Sequence, residues 1–183
     1  YIKSVDATSY SRLSAETLND YAHIVCMRNT DRLCVFSSAG NMYQIKAMNI
    51  PKGRSRDKGV LIQSLCKIGH EDALLYVDAE TLFNSQLLFT TAYGFVKLVS
   101  GIEFDTNRLA IASTKLDEND HLAGVTLLTV EDAIAQDRKV IMITKDGLSL
   151  GFPLTEVSEL KKTSRGVKGI ALEKVYSFSI SIL

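Results

Sequence analysis

No stretch of this 183-residue sequence is continuously apolar for anything near the roughly 18 residues that a membrane-spanning helix requires, so no such helix is expected. Cysteines are few. Cys26, Cys34 and Cys66 share no Cys-x-x-Cys spacing, which argues against a zinc site, and an odd number in apolar settings reads as buried, reduced thiols of a cytosolic protein. The three histidines, His23, His70 and His121, are far apart, and none has a Cys or Ser beside it that would make a nucleophile pair. No phosphate-binding glycine loop is present. Gly166-Val167-Lys168-Gly169 is too short and lacks the Lys-Ser/Thr ending of a P-loop. Asp117-Glu118-Asn119-Asp120 lacks the glycine and terminal glutamate of a calcium loop and reads as a solvated turn. Catalysis within these residues therefore has no support, and neither a metal site nor a cofactor is expected. Net charge is also absent: 21 basic side chains balance 21 acidic ones, which by itself argues against a nucleic-acid binder.

A pattern is present three times. Leu33–Ile45, Leu87–Val96 and Val140–Leu150 are each an apolar run, a polar turn with a glycine, and a second apolar run. The turn glycines are Gly40, Gly94 and Gly147, spaced by 54 and 53 residues. Strands rich in Val, Ile, Leu, Phe and Tyr around a short glycine turn predict β-hairpins, clearest at Lys145-Asp146-Gly147. A constant period of this size predicts a repeat architecture.

Further apolar segments keep the same phase. Residues 22–27, 73–77, 122–128 and 176–182 read as strands ahead of a hairpin, and the last alternates apolar and polar residues. Residues 59–65, 109–112 and 166–172 read as strands after one. Pro51 and Pro153 mark strand ends or edges, because proline cannot donate to a ladder. Thr129–Arg138 reads as a turn of helix between strands. Four strands per unit at a period near 50 predict an all-β, propeller-like fold of four-stranded repeats, about three and a half blades in one domain, 1–183. The repeats run approximately 22–72, 73–121 and 122–175, with part-blades at each end. The terminal strand from Val175 to Leu183 has no hairpin after it and is expected to be an open edge. Opening on the strand-like Tyr1-Ile2-Lys3, the sequence reads as a piece of a longer protein.

Charge is informative in its distribution. Lys46, Lys52, Arg54, Arg56 and Lys58 are accompanied by one acid, Asp57, and Lys161, Lys162, Arg165 and Lys168 by none. Glu71, Asp72, Asp78 and Glu80 fall at another phase of the repeat. Positive charge that recurs after a hairpin would collect on one rim of a propeller, a surface suited to a phosphate backbone. A rim that binds acidic protein surfaces remains the alternative.

Asn41–Pro51 followed by Ser55-Arg56-Asp57-Lys58-Gly59, the later Ser164–Ile170, the opening Tyr1-Ile2-Lys3 and the central Gly94-Phe95-Val96-Lys97 resemble the C-terminal domain of the A subunit of bacterial DNA gyrase, a domain type shared with topoisomerase IV. The resemblance covers essentially the whole chain. It implies a β-pinwheel, a propeller variant whose blades exchange strands, and a domain that binds and bends duplex DNA around its outer rim and presents it to the catalytic core of a type II topoisomerase. The partners it implies are duplex DNA, the ATPase B subunit and the catalytic domain of the same polypeptide, in the bacterial cytoplasm near the nucleoid. ATP and magnesium would belong to the parent enzyme and not to this domain. The candidate DNA-binding residues are Lys3, Arg12, Lys46, Lys52, Arg54, Arg56, Lys58, Lys97, Lys161, Lys162, Arg165 and Lys168. Gyrase carries a basic Gln-Arg-Arg-Gly-Gly-Lys-Gly box after its first Tyr-Ile-Lys hairpin. Here Ser9–Thr17 replaces it, which favours a topoisomerase IV-like or divergent gyrase-like protein.

Overall fold

The hairpins form where the glycines allow the chain to reverse. In chain order the elements are α1 (Ala7–Tyr10), α2 (Ala15–Asn19), β1 (Arg32–Ser37), β2 (Asn41–Lys46), β3 (Ala73–Asp78), α3 (Ala79–Phe83), β4 (Gln86–Thr91), β5 (Phe95–Ser100), β6 (Ala110–Ala112), β7 (Leu122–Leu128), β8 (Lys139–Thr144), β9 (Ser149–Pro153), β10 (Val167–Lys168) and β11 (Phe178–Ile182). The computed structural model describes residues 1–129, 132, 137–144 and 147–171, and 178–182 as backbone alone. In β1–β2, β4–β5 and β8–β9 the turn glycine has φ of 75°, 80° and 81°, where a side chain would be strained. In each turn the glycine N–H donates to the carbonyl three residues back, that of Ser37, Thr91 or Thr144. Of the clearest predicted turn, Lys145 and Asp146 lie outside the described residues.

The first two hairpins are each the centre of a sheet completed by strands on either side of the next hairpin, and the third is joined, among the described residues, by one strand, β11. The first sheet has the order β3-β1-β2-β6, the second β7-β4-β5-β10, and the third β11-β8-β9, all antiparallel. Thus β3 precedes the β4–β5 hairpin and β6 follows it, yet both belong to the sheet of β1–β2. The same exchange places β7 and β10, which flank β8–β9, on the sheet of β4–β5. Residues 1–5 repeat the geometry of β5: Ile2 bridges Val60 antiparallel and Ser4 bridges Lys52 parallel, as Val96 pairs with Val167 and Leu98 bridges Glu159. The all-β, propeller-like architecture expected from the repeat, with the strand exchange that the resemblance implies, is therefore the one observed.

The exchange buries the central strands on both faces, which explains why β1, β2, β4 and β5 read as continuous apolar runs. Between the first two sheets Phe36, Phe89 and Phe104 are fully buried, with Phe36 edge-on to Phe89 at 5.9 Å and to Phe104 at 5.1 Å. A second cluster around Leu88, Leu98, Val140, Met142 and Leu154 joins the second sheet to the third.

Several expectations are corrected. Residues 22–27 form no strand and pair with none among the described residues. In 59–65 only Val60 bridges, and Ile62–Ser64 is a turn of 3-10 helix. The terminal strand is paired on one side: β11 pairs with β8 over five residues, and among the described residues β11 and β9 are the two edges of that sheet. Residues 175–177 and 183 lie outside the described residues, as do 130, 131 and 133–136 of the expected helical turn. Of the cysteines only Cys34 is buried, its thiol pushed up to about 12 by burial; Cys66 is half-buried and Cys26 exposed. No helix among the described residues is long and apolar enough to cross a membrane.

Candidate nucleic-acid interface

The two basic segments are two copies of one device. In each, a chain segment runs from a parallel bridge to an antiparallel bridge along a neighbouring strand, and the loop between the bridges carries the cations. Residues 52–60 do this against residues 1–5, and residues 159–167 against β5. The loops end at Gly59 (φ 84°) and Gly166 (φ 109°), where a Cβ would lie 2.4 Å from the Ile2 carbonyl oxygen and 2.8 Å from that of Val96. Both glycines are required by this close approach of backbone to backbone.

A lysine on the neighbouring strand holds each loop from behind. Lys3 Nζ donates to the carbonyl oxygens of Arg54, Ser55 and Asp57 at 2.9, 2.6 and 2.6 Å. Lys97 Nζ donates to those of Lys161, Lys162 and Ser164 at 3.3, 2.9 and 2.8 Å. The three acceptors fall at the same loop positions in both. Lys97 is 1% exposed, a charge inside the protein, and its three carbonyl acceptors are the compensation such burial demands. Its pKa is lowered to about 8 by burial, against the pull of Glu103.

Other contacts stiffen the loops. The Tyr21 hydroxyl donates to the Ser55 carbonyl at 3.0 Å, and the Asp57 carboxylate takes the Arg54 N–H at 2.7 Å. On the second loop the Ser164 carbonyl also accepts from Thr114 Oγ1 and the Lys115 N–H, and the Glu103 carboxylate accepts the Lys162 N–H. Equivalent cations stack on equivalent rings: Lys58 over Tyr1 at 4.1 Å, and Arg165 over Phe95 at 4.3 Å. Lys168 covers the same Phe95 ring at 4.5 Å and donates to the Tyr93 carbonyl.

The candidate residues therefore divide. Lys52, Arg54, Arg56 and Lys58 are exposed on the first loop, and Lys161, Arg165 and Lys168 on the second. Lys162 is half-buried, with its ammonium on the Glu103 carbonyl and over the Phe104 ring. Lys3 and Lys97 lie behind the loops. Lys46 is exposed at the end of β2, beside a cavity of about 300 Å³ lined by Arg32, Gln44 and Asn107. Arg12 is exposed in the turn after α1, in a segment that forms two short helices capped by Asp6 and Ser14. Among the described residues the one ion pair that involves a candidate cation is Arg165–Asp117, at 2.6 Å.

Sequence reasoning missed Tyr21, Tyr1, Phe95, Asp117 and Glu103 as parts of this surface. They touch the loops only because strands are exchanged between blades, and no local pattern announces that. The remaining hairpins lack the device: by register the position of Lys3 and Lys97 is Tyr43 in β2, whose hydroxyl donates to the Glu71 carboxylate, and Leu150 in β9, while Gln44, one residue further on, donates to the Thr106 carbonyl. A cavity of about 510 Å³ elsewhere is lined by Asp31, Asp78, Glu80 and Arg28 and has the wrong sign for a polyanion. Among the described residues no three of His, Cys, Asp and Glu converge as a cation site would need.

Comparison with known proteins gives one answer. A family model described as the DNA gyrase C-terminal domain, β-propeller, matches residues 31–77 and 138–174. The chain is 28% identical over 188 residues to the DNA gyrase A subunit of Helicobacter pylori, covering 95% of this chain and 22% of that one. It is 30% identical over 148 residues to the DNA gyrase A subunit of Chlamydia pneumoniae, covering 78% and 17%. It thus spans about a fifth of the length of the curated relatives it matches. A crystal structure of the C-terminal domain of DNA topoisomerase IV superposes with a TM-score of 0.83 over 100% of this chain and 58% of that one, at 24% identity.

Proposed function

The chain belongs to the family of DNA gyrase C-terminal β-propeller domains, and from that premise we propose that it binds duplex DNA through the loops 52–58 and 161–168 and bends the duplex across them. The observation that carries this reading is the duplication. Two exposed clusters of Lys and Arg stand at one position of the repeat, each on a backbone fixed by three carbonyl hydrogen bonds from a lysine behind it. Cations presented on rigid loops at repeated intervals suit a regularly spaced row of phosphates, and they carry no donor pattern that reads base edges.

A duplex that follows both loops has to curve with the sheets that carry them. The bending cost falls on the duplex and is offset by the second set of phosphate contacts. In the parent protein the domain would present the bent duplex to the catalytic part of a type II topoisomerase, in partnership with the ATPase B subunit, in the bacterial cytoplasm. Bending is tested by energy transfer between dyes at the two ends of a short duplex of mixed sequence. Addition of the protein at low salt should shorten the end-to-end distance. Binding with no shortening would reduce the role to simple attachment, and no binding would leave the rim to an acidic protein partner.

A further inference from the structure

The sequence counts Lys3 and Lys97 among the basic residues of the rim, but the structure gives them different surroundings from the rest. Neither ammonium faces outward: each is occupied by three main-chain carbonyls of a loop 51 to 54, or 64 to 67, residues away. An ammonium has three donors, so both are fully committed. Lys3 lies in addition over the Tyr21 ring at 5.1 Å, and Lys97 over the Phe89 ring at 5.3 Å. A cation held beneath a loop that already carries several cations, whether half-buried like Lys3 or buried like Lys97, adds repulsion, so its presence needs a reason other than charge.

The repeat supplies the reason. Where the strand position holds lysine, the partner loop is strongly basic: Lys52, Arg54, Arg56 and Lys58 over Lys3, and Lys161, Lys162 and Arg165 over Lys97. Where it holds Tyr43, the buried side chain gives its one donor to the Glu71 carboxylate and none to the partner loop, and that loop, 105–109, has one base, Arg108, and one acid, Asp105. Anchor and charged loop occur together even though they come from different hairpins.

We propose that Lys3 and Lys97 are positioning residues of the DNA interface, each preorganising one basic loop through three carbonyls without touching phosphate. This rests on the DNA reading above. Loop cations that repel one another would otherwise spread over many conformations, and ordering them would be charged against binding.

The test separates affinity from salt dependence. Lys97→Met and Lys3→Met keep side-chain length and remove the donors. Each should weaken binding to a plain duplex about five- to tenfold at every salt concentration, the cost of ordering a few side chains and their loop on binding. The slope of log K against log salt should stay as in the wild type, because the phosphates neutralised are the same. A slope shallower by about 0.9 would mean that the lysine itself neutralises a phosphate, and would overturn the proposal. Unchanged affinity would overturn it as well.

Hydrogen exchange on the free variants gives a second reading independent of DNA. The Ser164 N–H, bonded to the Lys161 carbonyl, should exchange faster in Lys97→Met, and the Asp57 N–H, bonded to the Arg54 carbonyl, faster in Lys3→Met. Because Lys3 is only half-buried, its variant remains a test if Lys97→Met fails to fold. Unaltered exchange would overturn the anchoring. Wild-type protein that fails to bind any duplex, with exchange altered as expected, would fail the DNA reading while leaving the lysines as loop anchors.

Discussion

Arg165 Nη1 donates to Asp117 Oδ2 at 2.6 Å while its guanidinium lies over the Phe95 ring, so the best-oriented cation of the second loop has a competing anion beside it. Both side chains are about two-fifths exposed, 45% and 37%, and the pair is one that solvent screens. A phosphate approaching Arg165 has to displace or share with Asp117. Asp117→Asn should therefore raise affinity for duplex DNA about two- to fivefold, the range that an exposed ion pair of up to about 1 kcal/mol allows. Titration of labelled duplex at fixed low salt reads this directly. Equal affinity in the variant would take Arg165 off the DNA path.

The closing glycines of the two loops should be intolerant of any side chain. Gly59→Ala and Gly166→Ala place a methyl against the Ile2 and Val96 carbonyl oxygens, at φ values that disfavour it. Each should cost roughly 1–3 kcal/mol in denaturant unfolding. The same change at Gly147, where among the described residues nothing lies within 4 Å of the new atom, should carry only the conformational part of that cost. Equal losses at all three would mean that the contact with the neighbouring strand is unimportant.

The buried lysine gives the protein opposite local and global responses to alkaline pH. The pKa of Lys97 lies at about 8, below its ordinary 10.5, because burial disfavours the charge; Glu103 opposes this, and Lys161, Lys162 and Arg165 share its surroundings. Below pH 8 the folded and unfolded chains both hold the proton. Between about pH 8 and 10.5 the unfolded chain holds more of it, so the contribution of this group to global stability rises across that window. Locally the neutral amine has one donor fewer for three carbonyls, and the loop loosens. Exchange at the Ser164 amide, corrected for its intrinsic pH dependence, should accelerate above about pH 8 in the wild type and not in Lys97→Met. Identical pH profiles would remove Lys97 as the cause.

The segment from Tyr10 to Glu16 bears on supercoiling. Where the family resemblance expects a box with several basic residues, this chain has Arg12 alone, between two short capped helices. Joined to the catalytic part of a type II topoisomerase, with ATP and the B subunit, the domain should support relaxation and decatenation but introduce negative supercoils poorly. Agarose-gel analysis of relaxed plasmid checks this. Efficient negative supercoiling would show that the two loops wrap DNA with a fixed hand without the box.

The hairpins were legible in the sequence because Gly40, Gly94 and Gly147 each need a backbone conformation other residues avoid, and because the runs flanking Gly40 and Gly94 are buried on both faces. The pairing between blades was not legible. Nothing local to Ala110–Ala112 says that it joins Asn41–Tyr43 and not its own neighbours, and strand exchange decides that. Residues 59–65 mislead for the same reason: Ile62 and Leu65 pack against the core of the β1–β2 sheet while only Val60 is bridged, to Ile2. The basic clusters could be seen in sequence, but the separation of outward cations from Lys3 and Lys97 could not. A lysine in an otherwise apolar strand looks like a solvent-facing position until the three carbonyls beneath it are placed.

The measurement that bears most directly on the proposed role is equilibrium binding to a plain duplex of mixed sequence over a range of salt concentrations, for the wild type and for the Arg54→Ala, Arg56→Ala, Lys58→Ala triple variant. The wild type should bind with log K falling linearly against log salt at about 0.9 per phosphate neutralised, and with little dependence on the sequence of the duplex. The triple variant should be shallower by up to about 2.7, uniformly across sequences. Wild-type binding that is absent at low salt, or a triple variant with the wild-type slope, would contradict a DNA-binding rim built from these loops.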